Sequence, residues 1–137
     1  MNRDDFKTLS IIRLKEARIL FNNHCYEGSY YLAGYAIECA LKACIAKNVR
    51  KYDFPEKNYE RKLYTHDLAQ LIKSAGLWAS FDQMNQIPEF SANWAVVKDW
   101  SGEKRYEKTI PQTTARDLLD AITTKQYGVL KWLKMCW

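Results

Sequence analysis

Glu38 and Lys42 stand four residues apart in Tyr26–Lys47, YEGSYYLAGYAIECALKACIAK, a run that is apolar on almost every face at helical length. An acid one turn ahead of a base is the favourable order for an ion pair on a helix. Desolvating such a pair costs free energy, so its presence in an apolar helix calls for a use. Gly34, Glu38 and Lys42 fall on one helical stripe, which is therefore expected to line a cleft or a subunit seam rather than the dry core. The pair is then either a structural bridge or a ligand contact at the floor of a cleft.

The remaining reactive residue types narrow the chemistry. Cys25, Cys39, Cys44 and Cys136 contain no C-x-x-C pair, and His24 beside Cys25 has no second ligand pair at zinc-like spacing. No metal and no cofactor are expected, and the cysteines read as reduced thiols that act as small hydrophobes. His24 reads as a turn or packing residue. Tyr26, Tyr30, Tyr31 and Tyr35 crowd one helix, which places some of their hydroxyls at a bundle rim or against a partner subunit.

The elements that must position these residues are helical. The chain has only three prolines and five glycines, and strand-like alternation is scarce. A first helix is expected over 4–23, with Asp4 as its cap and Phe6, Leu14, Ala17, Leu20 and Phe21 on one face. The short turn Asn22-Asn23-His24 makes it an antiparallel neighbour of the helix Tyr26–Lys47. Residues 49–64, charged and aromatic around Pro55, read as a long surface loop. A third helix starts at Thr65 as cap, with Asp67 in its first turn, and stops at Gly76. Helical spacing continues over 78–100, where Pro88 must kink or break it. After a polar loop over 101–112, a last helix is expected over 114–136, opened by a capping box of Thr114 and Asp117. Gly128 costs that helix about 1 kcal/mol against alanine and marks a close helix contact.

At 137 residues and 47% apolar composition, a single domain over 1–137 can bury a full core. The net charge of +5, with a pI near 9.0, permits an acidic partner such as RNA without demanding one. Glu38 and Lys42 interrupt the longest apolar run, so no membrane span is expected. The start MNRDDFKTLS lacks the signal-peptide pattern, and a cytoplasmic location is the expectation.

Three segments carry a resemblance. Ala17 to Phe21 as A-x-x-L-F, a short turn, and then YEGSYYLAGYAIECALKA ending at Ala43 resemble the core helix pair of the HEPN family. His66-Asp67-Leu68-Ala69-Gln70-Leu71 is similar to the H-D-L-x-x-L segment of one branch. Trp100 followed by Arg105-Tyr106 is similar to its W-x(4)-R-Y segment. The resemblance implies an all-α, antiparallel up-and-down bundle of four to five helices, usually homodimeric. It implies an RNA-directed protein, a metal-independent endoribonuclease toxin paired with a minimal nucleotidyltransferase antitoxin. The alternative is a non-catalytic module that binds a nucleotide or a partner protein.

Catalytic members carry an arginine, four to six residues and a histidine, which Arg61 and His66 match here. On that reading His66 is the base that takes the 2′-hydroxyl proton, and Arg61 clamps the scissile phosphate. Lys62 stands where catalytic members carry Asn, Asp or His, and the motif precedes the third helix rather than opening a late one. The expected nucleotide or RNA contacts are Arg105, Tyr106, Trp100, Lys42 and Glu38.

Overall fold

In a computed structural model, which describes residues 1–48, 63–100 and 108–137, every regular element among the described residues is an α-helix. The first, α1 (Arg3–Asn22), is capped by Asn2 and not by Asp4. Asn2 Oδ1 accepts from the Asp5 amide and the Asp5 carboxylate accepts from the Asn2 amide, both at 2.9 Å. Asp5, three residues past the cap, is the residue that can close this reciprocal box. At the other end His24 takes a positive φ of 62°. That turn lets the amides of His24 and Cys25 reach the carbonyls of Phe21 and Leu20, and so ends the helix. The His24 Nδ1 lies 2.8 Å from the Tyr26 hydroxyl, so the residue serves the turn, as expected.

The second helix, α2 (Tyr26–Lys47), runs back along the first. Ser10 Oγ donates to the Ala36 carbonyl at 2.7 Å, and Ser29 Oγ donates to the Ala17 carbonyl at 2.8 Å. As one helix advances the other recedes, which makes the pair antiparallel. Ala17, Ala33, Ala36 and Ala40 are fully buried at this seam, and small side chains let the backbones approach closely. Ser10 and Ser29 are fully buried as well, and each satisfies its hydroxyl on the opposite helix.

Five shorter helices complete the described bundle, three of them packed directly on α2. α3 (Leu68–Ser74) starts later than expected, because Asp67 is its cap and accepts from the Gln70 amide at 3.2 Å. Thr65 instead accepts from the Asp67 amide at 3.1 Å, so it shapes the approach to the helix rather than its first turn. Gly76, at φ 70°, closes α3 as expected. Pro88 breaks the 78–100 segment into α4 (Trp78–Asn85) and α5 (Pro88–Lys98), and it occupies the first turn of α5, where a missing N–H costs nothing.

The expected single helix over 114–136 is also two, α6 (Gln112–Thr123) and α7 (Val129–Cys136). Pro111 precedes α6 and no side chain caps it, so the Thr114–Asp117 box is not used. A Cβ at Gly128 would lie 2.5 Å from the Thr124 carbonyl oxygen and 2.7 Å from that of Ile122. The chain therefore turns sharply at the one position without a side chain. Two breaks turn the five helical segments read from sequence into seven described helices within the same all-α bundle.

The core follows from this arrangement. α2 packs against α1, α3, α6 and α7, and buries Ile37 and Leu41 completely against Leu71, Leu118, Ile122 and Leu133. The far side is aromatic. Phe81 meets Trp94 edge-on at 5.1 Å between ring centroids, and Phe90 meets Trp132 at 5.5 Å. Trp132 Nε1 donates to Ser80 Oγ at 3.0 Å. No helix among the described residues is long and apolar enough to cross a membrane.

The cysteines divide by environment. Burial, reinforced by the neighbouring Glu38 carboxylate, pushes the Cys39 thiol up to about 11, and burial pushes Cys44 up to about 12. Cys25 is exposed beside the α1–α2 turn, so not all four thiols act as core hydrophobes. A thiol held neutral and buried is a poor nucleophile. Iodoacetamide near neutral pH is expected to alkylate Cys25 first and to reach Cys39 and Cys44 only after denaturation. Peptide mass spectrometry reads the order, and native labelling of Cys39 at the Cys25 rate would contradict it.

Candidate functional site

His66 sits in the irregular stretch just before α3, two residues ahead of its first turn. Leu68, Leu71 and Ile72 anchor α3 in the core beside α2, and this docking carries His66 onto Glu38. The His66 Nδ1 is 2.7 Å from Glu38 Oε1, and Lys42 Nζ donates to Glu38 Oε2 at 3.0 Å. The three side chains differ sharply in exposure: Glu38 is 0% exposed, Lys42 12% and His66 43%. One buried carboxylate thus uses one oxygen for a cation on its own helix and the other for an imidazole on the segment that leads into α3.

The geometry dictates the state of the imidazole. An ionised carboxylate can only accept, so Nδ1 donates and carries the ring hydrogen. In the neutral ring Nε2 is then the unprotonated nitrogen, an acceptor and a base. Nδ1 is taken up by the fully buried carboxylate, while the side chain as a whole stays 43% exposed. Lys42 balances the carboxylate's charge, and with both oxygens bonded the buried anion is paired as its burial requires.

Along the same stripe of α2, toward its N-terminus, lie Tyr35 and Tyr31. Their rings stack at 6.2 Å between centroids and 8° between planes. Tyr31 is 37% exposed. Burial raises the Tyr35 hydroxyl above its ordinary value, with Cys39 and Glu38 adding to the effect. Trp100 closes this end of the stripe, 6.4 Å from Tyr31, with its ring over Gly34.

The structure therefore joins three of the residues singled out in the sequence, His66, Glu38 and Lys42, and sets Trp100 one helical turn from Glu38 along α2. Trp100 itself is 1% exposed, so its ring is a packing element on Gly34 and not an open face for a base. Glu38 is likewise closed to solvent and touches the site through His66. Arg61, Arg105 and Tyr106 lie outside the described residues. The bond between His66 and Glu38, and the Tyr31–Tyr35 stack beside it, were not anticipated. The period of the tyrosines on α2 was the one available signal for the stack.

Such an all-helical bundle, built on one antiparallel pair with a buried carboxylate under a half-exposed histidine, defines a small helical module. The HEPN domain model matches residues 10–134, and the chain belongs to the HEPN domain family. Comparison with curated proteins and with solved structures returns no match. The family makes the chain a module of nucleotide-binding or ribonuclease type.

Proposed function

We propose that this HEPN protein is RNA-directed and cleaves RNA, with His66 as general base. One observation carries the reading: His66 is held through Nδ1 on a fully buried carboxylate, and its ring is 43% exposed. A base that must remove a 2′-hydroxyl proton needs one free ring nitrogen, a fixed tautomer and access to substrate. In the proposed step Nε2 takes the 2′-hydroxyl proton and the 2′-oxygen attacks the adjacent phosphorus. The bond to the 5′-oxygen breaks, that oxygen takes a proton from water, and a 2′,3′-cyclic phosphate is left. Glu38 is a positioning residue here, since it holds the ring and steadies the imidazolium that forms. Arg61 is assigned to the phosphate by its spacing from His66, and Arg105 and Tyr106 to the flanking nucleotide.

The reading extends to a homodimer whose two histidines share one composite site, and to a minimal nucleotidyltransferase as antitoxin. Both rest on the family resemblance. The experiment is cleavage of a labelled single-stranded RNA by the purified chain. His66→Ala is expected to lower the rate by about 100-fold or more, the ordinary worth of a general base. Added imidazole should restore part of it. Equal cleavage by both proteins, or none by either, removes the catalytic claim.

The exposed Tyr31 stacked on Tyr35 favours a second reading, a nucleotide-binding module without catalysis. Calorimetry with nucleoside mono- and triphosphates distinguishes it. Heat with the His66→Ala variant, lost in Tyr31→Ala, would support binding without chemistry.

A further inference from the structure

On the α1 face that turns toward the end of α6 and the start of α7, a groove of about 460 Å³ lies open. Its floor is apolar, made by Leu14, Ile122 and Leu130, all at least nine-tenths buried. Its wall on α1 carries Ile11 and Ile19, two turns apart, which are 53% and 51% exposed. Large aliphatic side chains left half in water beside a groove mark a surface made to be covered.

The rim has one sign of charge. Lys15 and Arg18 on α1 face Lys125, Lys131 and Lys134 across the groove, and no carboxylate lines it. None of the five forms an ion pair among the described residues. Lys131 Nζ donates to the Lys125 carbonyl at 2.8 Å, which fixes one corner of the rim. Five cations around an aliphatic floor leave their mutual repulsion to be relieved by an occupant.

Charge and shape together choose among occupants. A second copy of the chain placed symmetrically on this face would set two rims of five cations against each other. A nucleic acid strand would satisfy the rim, but the groove has no aromatic side chain on which a base could stack. Its exposed isoleucines would meet sugar and phosphate. An amphipathic helix satisfies both parts at once, with aliphatic residues on the floor and carboxylates toward the rim. From Ile11 to Asn22 the α1 wall runs about 16 Å at 1.5 Å per residue, room for three turns of a partner helix.

We propose that the groove formed by α1, the end of α6 and α7 docks an acidic amphipathic helix of a partner protein. It is independent of the His66 site and does not need cleavage activity. The test uses the isotopically labelled full chain and amide NMR spectra. The probes are a synthetic Leu/Glu amphipathic peptide about three turns long, its Leu/Lys counterpart, and a single-stranded RNA.

The Leu/Glu peptide is expected to shift the amides of Ile11, Ile19 and Leu130, while the Leu/Lys peptide leaves them in place. The double variant Arg18→Glu, Lys131→Glu should weaken the Leu/Glu peptide about tenfold or more. Both positions are exposed, and the unperturbed amides of the core report that the variant is folded. No shift with the acidic peptide, shifts confined to other faces, or equal binding of both peptides overturns the proposal. RNA that fills the groove and displaces the peptide overturns it in favour of nucleic acid. An Ile19→Glu variant that turns a dimer into a monomer in sedimentation overturns it in favour of self-association.

Discussion

Replacing Glu38 with alanine should destabilise the fold by about 3–5 kcal/mol, the usual cost of breaking a buried charge pair from one side. The carboxylate is fully buried, and Lys42 is only 12% exposed. Without Glu38 the ammonium of Lys42 keeps its burial and loses its counter-charge. His66 loses its bond to α2, the one hydrogen bond among the described residues that ties the approach to α3 onto that helix. The penalty comes from an uncompensated charge more than from a lost attraction, and that has a consequence. The paired replacement Glu38→Leu with Lys42→Met should recover most of the loss, because it removes both charges and fills the space with apolar atoms. Urea unfolding reads both results as shifts in midpoint at constant slope. A loss below about 1 kcal/mol for Glu38→Ala would mean that the pair is solvated and contributes as little as a surface bridge. The same paired variant also separates stability from chemistry. It should fold like the parent and still cleave RNA poorly, since His66 would keep its place in the chain but not its fixed tautomer.

The fold was legible where a single local rule decided it. Tyr26–Lys47 showed its length and burial through apolar residues on every face, and its bounds coincide with those of α2. Pro88 announced a break because its ring cannot continue a helix. Where two local rules competed, the outcome depended on the surroundings. Asp4 and Asn2 are both good caps, but only Asn2 has Asp5 three residues ahead to close the reciprocal bond. Gly128 looked like a tolerated glycine within a helix. The carbonyls of Ile122 and Thr124 that close on it belong to the turn itself and carry no sequence mark. The site was legible only within one helix. Glu38 and Lys42 declared their pairing by spacing, whereas His66 lies 28 residues from Glu38 and meets it because α3 docks beside α2. The basic groove shows the same limit, as Lys15 and Arg18 come within reach of Lys131 and Lys134 only through folding. In the sequence their trace was a net charge of +5, which names no surface.

Gly34→Ala should destabilise the protein by about 2–4 kcal/mol, although alanine is the better helix former. In isolation the exchange gains about 1 kcal/mol of helix propensity. Against this, a Cβ at position 34 would lie 2.1 Å from Cε2 of Trp100 and 2.2 Å from its Cδ2 and Nε1. No rotation of the alanine relieves an overlap of that depth, so the indole must leave its seat. Trp100 is 1% exposed, and losing a buried tryptophan's packing costs about 3–5 kcal/mol. Its Nε1 has no hydrogen-bond partner among the described residues, so the ring is held there by shape and apolar contact. The decisive measurement is the sign of the effect in two backgrounds. In a Trp100→Ala chain the seat is empty, and Gly34→Ala should then stabilise by about 1 kcal/mol, as helix propensity alone requires. A destabilisation of equal size in both backgrounds would show that the glycine serves something other than the indole. A reversal would establish that α2 gives up helix propensity at Gly34 to seat Trp100, one turn before the carboxylate that holds His66.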